Sequence, residues 1–256
     1  MKTFLTILGC GSSFGVPRAD AYWGKCNNKN KKNYRTRCSV VVSRGQNTIL
    51  IDTSPDMRFQ LLNNKIKDIS SVLYTHYHSD QTHGINDLRP FYFRYKKKIN
   101  IYADKNTLVH LKNNFSHCFK KTPGYLPFLK ANRIKSSFSL GVANEKIIFK
   151  SITVNHGKIN SLGYIFNKTA YISDCSNINS SNLQKLKKLN YFIIDCLRIK
   201  PHPAHFNYNQ VLKIIDVIKP KKTILTNLHS DLDYNKLLKN TPINVKPAFD
   251  GLQIKL

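Results

Sequence analysis

The sequence predicts an α/β protein in which two β-sheets pack on each other and are covered by helices. Three observations predict it. Strand-type apolar runs occur in both halves of the chain, and amphipathic helical patterns lie between them. No repeat or linker divides the 256 residues, so one domain over residues 1–256 is expected. Hydrophobic residues make up 41% of the chain, enough for a substantial core.

In order, Thr3 to Cys10 reads as a strand. The run Gly9-Cys10-Gly11-Ser12-Ser13-Phe14-Gly15 follows, with Val16-Pro17 behind it where a helix would have to begin. A tight turn lining the site with backbone N–H groups is therefore expected, not a dinucleotide-binding loop. Arg18 to Arg37 is polar and basic and is expected to be a long surface loop or lid. Ser39 to Ser43 and Thr48 to Asp52 form a hairpin around Arg44-Gly45-Gln46-Asn47. Asp56 to Asn63 is a short helix, Ser71 to Tyr74 a strand, and Pro90 limits helix continuation after Ile85 to Arg89. Ile99 to Ala103 is a strand. Thr107 to Lys121 is a helix by its spacing of Leu108, Leu111, Phe115 and Phe119. Strands follow at Lys146 to Val154, Leu162 to Phe166, Thr169 to Ser173 and Tyr191 to Asp195. A helix over Tyr208 to Ile218 is capped by Asn207. A strand at Thr223 to Thr226, a short helix at Tyr234 to Leu238 and a strand at Leu252 to Leu256 complete the chain.

Composition narrows the function classes. No run approaches the ~18 apolar residues of a membrane span. Ile7-Leu8-Gly9-Cys10 is like a lipoprotein cleavage box, but the apolar run before it is shorter than the roughly 7–15 residues of a signal core, so a cytoplasmic protein without membrane partners is expected. None of the six cysteines forms C-x-x-C, and reduced thiols are the expectation. The formal charge is +27. Of the 41 basic residues, 32 are Lys and nine are Arg, with Asn and Ile also abundant. Two readings of the charge stand, a nucleic-acid surface or an AT-rich coding bias. Either is compatible with an anionic substrate.

Chemistry concentrates in Tyr74-Thr75-His76-Tyr77-His78-Ser79-Asp80-Gln81-Thr82-His83-Gly84, which follows the apolar run Ser71-Val72-Leu73. His76 and His78 stand at i and i+2, so an extended backbone points both rings to one side. Neutral imidazole and carboxylate are ligands for divalent metals such as zinc or manganese. Three more strand ends carry donors: His156 after Ser151 to Asn155, Asp174 after Thr169 to Ser173, and His229 after Thr223 to Leu228. Such donors suit phosphodiester hydrolysis. That reaction needs a nucleophile at neutral pH and neutralised phosphate oxygens, and metal ions supply both.

His-x-His-x-Asp after an apolar strand, then His156, Asp174 and His229 in that order, resembles the metallo-β-lactamase superfamily over essentially the whole chain. Gly9-Cys10-Gly11-Ser12-Ser13, Ile172-Ser173-Asp174 and Asp250-Gly251 are similar to its phosphoribosyl cyclic phosphodiesterase branch, which is related to tRNA 3′-processing endonucleases. The resemblance implies an αβ/βα four-layer sandwich of two mixed sheets, with one or two divalent ions (Zn or Mn) at one edge. By that match His76, His78 and His156 hold one ion, Asp80 and His229 the other, and Asp174 bridges both. The chain departs from the pattern at Gln81, where the family has a histidine; Gln81 offers an amide oxygen or nothing, and His83 is a further donor whose direction is open.

His205, in Lys200-Pro201-His202-Pro203-Ala204-His205-Phe206-Asn207, matches the position of the branch's general acid, with His202 as its competitor. His205, Asp80 and Asp174 are thus the candidate catalytic residues, and Arg89 and Arg198 are candidate phosphate contacts. The clustered-cysteine zinc site of the branch is not expected, since only Cys26 and Cys38 lie in that region. Nor is the long RNA-gripping arm of the tRNA-processing relatives, for which Lys120 to Lys135 is too short.

The expected function is a metal-dependent hydrolase cleaving a small cyclic or nucleotide-like phosphodiester. The competing readings are a ribonuclease acting on tRNA or other RNA, and a degenerate, non-catalytic binder of nucleic acid or anionic metabolites. The expected partners are a small phosphodiester substrate, with nucleic acid and a second copy of the chain as further candidates.

Overall fold

The computed structural model describes residues 1–256. The first half builds β1 (Thr3–Gly9), β2 (Ser39–Arg44), β3 (Asn47–Ile51), β4 (Ser71–Leu73), β5 (Ile99–Ala103) and β6 (Leu129–Arg133). The second builds β7 (Ser137–Leu140), β8 (Ile147–His156), β9 (Ile159–Phe166), β10 (Thr169–Ile172), β11 (Tyr191–Asp195), β12 (Lys222–Thr226) and β13 (Val245–Pro247). The final strand, β14 (Gln253–Lys255), returns to pair with β1. The result is two seven-stranded mixed sheets, ordered β14-β1-β2-β3-β4-β5-β6 and β13-β12-β11-β10-β9-β8-β7.

The period of two in the strands sends alternate side chains to different cores. Leu5, Val40, Val42, Ile49 and Ile51 meet Phe149, Tyr164, Tyr171, Ile193 and Ile224 between the sheets. Val41, Leu50 and Val72 face outward under α1 (Met57–Asn63) and α4 (Lys105–Asn114). Phe192 and Ile194 face outward under α6 (Ser180–Lys185) and α7 (Tyr208–Ile218). Four layers follow, helix–sheet–sheet–helix. The α7 helix shows the local logic. The Asn207 side chain accepts from Gln210 N–H, the Gln210 side chain accepts from Asn207 N–H, and Val211, Ile215 and Ile218 are buried. No helix is long and apolar enough to cross a membrane.

Four expectations are corrected. Arg18 to Arg37 is not a surface loop throughout. Arg35 is 1% exposed, and its guanidinium donates to His229 O at 3.3 Å and Leu232 O at 2.7 Å. Cys26 Sγ contacts Ser230 O, and Asn33 donates to the Asp233 carboxylate, so several polar partners draw the segment inward. Pro90 starts α3 (Arg89–Tyr95), where the missing N–H has no helical partner to lose. The helix expected over Thr107 to Lys121 ends at Asn114. Phe115 leaves helical geometry (φ −125°, ψ 41°), and α5 (Ser116–Phe119) is a separate turn. Finally, β6, β7 and β13 were not expected. All three are edge strands, which are commonly short and polar and so lack the apolar signal of central strands.

Candidate metal centre and catalytic cavity

Strands β3, β4, β5 and β6 run parallel, as do β10, β11, β12 and β13. Their carboxyl ends therefore open at common edges, where backbone pairing stops and side chains are free to converge. Polar residues stand there one after another: Asp52 after β3, Thr75 and His76 just beyond β4, His156 ending β8, Asp174 just beyond β10, Asp195 ending β11 and Asn227 after β12. Asp52 and Asn227 have left-handed backbones (φ 64° and 59°), the kind of strain that collects at functional sites.

His76, His78 and His156 form a triangle of imidazoles, with ring centroids 4.6, 5.0 and 5.0 Å apart. Asp52 holds one corner: it accepts from Thr75 N–H at 2.7 Å and from the Thr75 hydroxyl at 2.9 Å. That hydroxyl lies 3.0 Å from His76 Nδ1, and with its own proton given to Asp52 it accepts from Nδ1–H. His76 Nε2 is left buried with no partner. Burial, against the pull of Asp174, pushes His76 down to about 3, so the ring is neutral and can act as a ligand. His156 Nδ1 donates to Ala204 O at 2.7 Å, which leaves Nε2 as the acceptor, 3.2 Å from His78 Nδ1. Burial, then His156, lowers His78 as well.

Asp174 is 2% exposed and touches both sides of the site. Its carboxylate accepts from Gln81 Nε2 at 3.3 Å and Asn227 Nδ2 at 3.4 Å, and stands 3.9 Å from His205 Nδ1. Burial acts against its charge, but the imidazoles facing it, of which His205 carries the charge, hold the carboxyl below the usual range. Gln81 is fully buried. Its Nε2 also donates to Asp80 at 3.1 Å, and its Oε1 has no partner. Burial, then the Asp174 carboxylate, pushes Asp80 up to about 7.

Two donor groups are close enough to hold an ion: His76 with His78 and His156, and His156 with Asp174 and His205. Asp80 and His229 line the same cavity, about 370 Å³ in volume, but belong to neither group. His229 Nδ1 faces Asp231 at 3.4 Å. His83 is exposed and sets its ring edge-on to Phe115.

His205 and His202 both line the cavity, and His205 alone of the two meets a buried carboxylate. Its Nδ1 lies 2.7 Å from Asp195 Oδ2, and Asp195 also accepts from Cys175 N–H at 2.9 Å and Asn227 Nδ2 at 3.1 Å. His202 Nδ1 instead accepts from Ala204 N–H. Ser12, Ser13 and Phe14 of the first turn reach the cavity, as does Arg198. The Arg198 guanidinium is committed to Lys200 O and Pro201 O, and Arg89 lies between the Phe93 and Tyr125 rings. Asp52, Asp195 and Asn227 were missed from the sequence. The signal was present, since each is a polar residue closing an apolar strand, as Asp174 is. A larger groove of about 440 Å³, between Arg44, Lys146 and Lys168, lies at the opposite end of β10 and holds no comparable donor group.

Comparison with known proteins identifies the family and the fold. The profile of the beta-lactamase superfamily domain matches residues 47–227. An octanoyltransferase of Porphyromonas gingivalis is 30% identical over 252 residues, which are 96% of this chain and 50% of that protein. The chain thus spans about half the length of this curated relative. Among solved structures, a diphosphatase of the PhnP family is 31% identical with a TM-score of 0.91, covering 100% of this chain and 98% of its own. Zinc-bound PqqB from Methylobacterium extorquens (16% identical, TM-score 0.80, 99% and 100% covered) shares the fold. So does the short form of human tRNase Z (16% identical, TM-score 0.70, 98% of each chain covered).

Proposed function

The chain belongs to the beta-lactamase superfamily, and on that premise we propose that it is a metal-dependent phosphodiesterase cleaving a small cyclic or nucleotide-like phosphodiester, within one domain of residues 1–256. The observation that carries this reading is the imidazole triangle. His76 Nε2 is buried without a partner, and His78 Nδ1 stands 3.2 Å from His156 Nε2. Two nitrogens bound at 2.0–2.1 Å to one tetrahedral ion stand about 3.3 Å apart, so the residues fit a divalent metal such as zinc or manganese. A bound ion of this kind supplies hydroxide at neutral pH and offsets phosphate charge.

The chain's own groups do the rest. Asp174 adds a carboxylate beside His76 and His156 and takes the amide of Gln81. Asp80, buried beside the Asp174 carboxylate, is suited to accept a proton from the attacking water. His205, charged through its contact with Asp195, is suited to donate a proton to the leaving alkoxide. Its kinship with a PhnP-family diphosphatase supports a phosphate ester or anhydride as substrate. The six unpaired, buried cysteines accord with a cytoplasmic location. Metal content and turnover of bis(p-nitrophenyl) phosphate with added manganese or zinc test the reading. A protein that binds metal without turnover would instead be the non-catalytic binder. RNA as substrate is favoured by the net charge of +27, and cleavage of a labelled precursor tRNA would distinguish it.

A further inference from the structure

Phe14 belongs to two hollows at once. It lines the catalytic cavity with Ser12, Ser13 and His205. It also walls an adjoining depression of about 300 Å³ whose other sides include Tyr34, Arg37 and Phe59. That volume is at the lower end of the roughly 300–1,000 Å³ typical of small-molecule pockets. Phe14, Tyr34 and Phe59 are 61%, 54% and 53% exposed, so the rings present stacking surface to solvent instead of filling a core.

The support beneath Phe14 is well tied. Gly15, at φ 69°, donates to Ser12 O at 2.8 Å, and Val16 exchanges both backbone hydrogen bonds with Arg35, at 2.8 and 2.7 Å. The Arg18 guanidinium carbon lies 5.6 Å from the Phe14 ring centre and 5.2 Å from that of Tyr22, which is 52% exposed. Asp20 accepts from Arg18 Nη2 at 2.7 Å, and Arg18 and Tyr22 share a tight turn through Arg18 N–H and Tyr22 O. The rim therefore carries an aromatic–guanidinium–aromatic stack directly beside the catalytic cavity. Flat aromatic and guanidinium surfaces next to a site for an anionic ester suit a nucleobase, since every base offers a π-face and stacks without a sequence-specific contact.

We propose that Phe14, with the Arg18 guanidinium beside its ring, is a stacking subsite for the base of a nucleotide substrate, with the depression toward Tyr34 and Phe59 receiving it. This assignment rests on the phosphodiesterase reading and narrows it to nucleoside phosphodiesters. Phe14 is then a specificity-determining residue, acting on the substrate's nucleoside and not on the reacting phosphorus.

The test compares thymidine 5′-(p-nitrophenyl phosphate) with methyl p-nitrophenyl phosphate. The two esters share a leaving group and differ in the nucleoside. The readout is the ratio of their kcat/KM values, in which any general loss cancels. The native protein should favour the nucleoside ester, Phe14→Ala should lower the ratio about tenfold, and Phe14→Trp should keep it. A ratio unchanged in Phe14→Ala overturns the proposal. If neither ester is turned over, the phosphodiesterase reading fails, and calorimetry decides the subsite. Thymidine 5′-monophosphate binding about tenfold tighter than ribose 5-phosphate, with the difference lost in Phe14→Ala, supports it. Equal affinity for the two overturns it.

Discussion

His205 Nδ1 lies 2.7 Å from Oδ2 of the fully buried Asp195, and this contact favours the protonated ring. Burial works against a charged ring, but the Asp195 carboxylate outweighs it and lifts His205 to about 9. The proton is thus retained through the neutral range. On a substrate with a ribose alkoxide leaving group, turnover should fall as pH rises through about 9. A p-nitrophenyl ester, whose leaving group departs without a proton, should lack that limb. Because the value is raised above the ordinary 6.5, the stability this pair contributes is fully present below about pH 6.5 and is lost as pH rises through about 9. Matching pH–rate profiles on the two substrates would remove His205 from the donor role.

Replacement separates the same two substrates. His205→Ala should cost about 10²–10⁴-fold on the poor leaving group and far less on the nitrophenyl ester. Asp195→Asn keeps the ring but removes the charge beside it, so the alkaline limb should move toward about 6.5. Equal losses on both esters would instead mean damage to metal or substrate binding.

Much of this site was legible in the sequence because its donors close central strands. Runs such as Thr169-Ala170-Tyr171-Ile172 fix where the strand ends, and Asp174 follows. The Asn207 cap and the helix to Ile218 were likewise local, carried by one capping box and one apolar stripe. What stayed hidden depends on partners far away in the chain. Arg35 reads as one more surface cation until the carbonyls of His229 and Leu232, about 200 residues on, are brought to it. Asp195 reads as an ordinary strand end until His205 turns back toward it. Strands β6, β7 and β13 were missed because edge positions demand little apolar character.

Arg35 offers a stability test. Arg35→Met removes the guanidinium's bonds to His229 O, Leu232 O and Asn33 Oδ1; His229 O keeps Leu232 N–H, and Leu232 O is left with only the Cys26 thiol. At about 1–3 kcal/mol for one under-satisfied buried group, denaturant unfolding should show a loss of about 1–3 kcal/mol. An unchanged midpoint would mean that the buried guanidinium does not hold this turn.

Gln81 is expected to limit the metal number. Its amide N–H donors link Asp80 to Asp174, and an ion bound between those carboxylates must displace them. An amide oxygen is also a poorer ligand for zinc than imidazole is, and better suited to manganese or magnesium. Dialysed protein should hold about one metal per chain and regain activity with manganese, and Gln81→His should raise the count toward about two. Two ions retained through chelator dialysis by the native protein, with no change in Gln81→His, would contradict this.

Turnover is expected to depend on a metal held by the His76, His78 and His156 triangle. The most direct measurement is metal content together with bis(p-nitrophenyl) phosphate turnover, on the same samples of native protein and His76→Ala after stripping and reloading with manganese or zinc. The native protein should lose both on stripping and recover both on reloading, while folded His76→Ala recovers neither. Full metal content and full turnover in His76→Ala would mean that the triangle does not hold that metal.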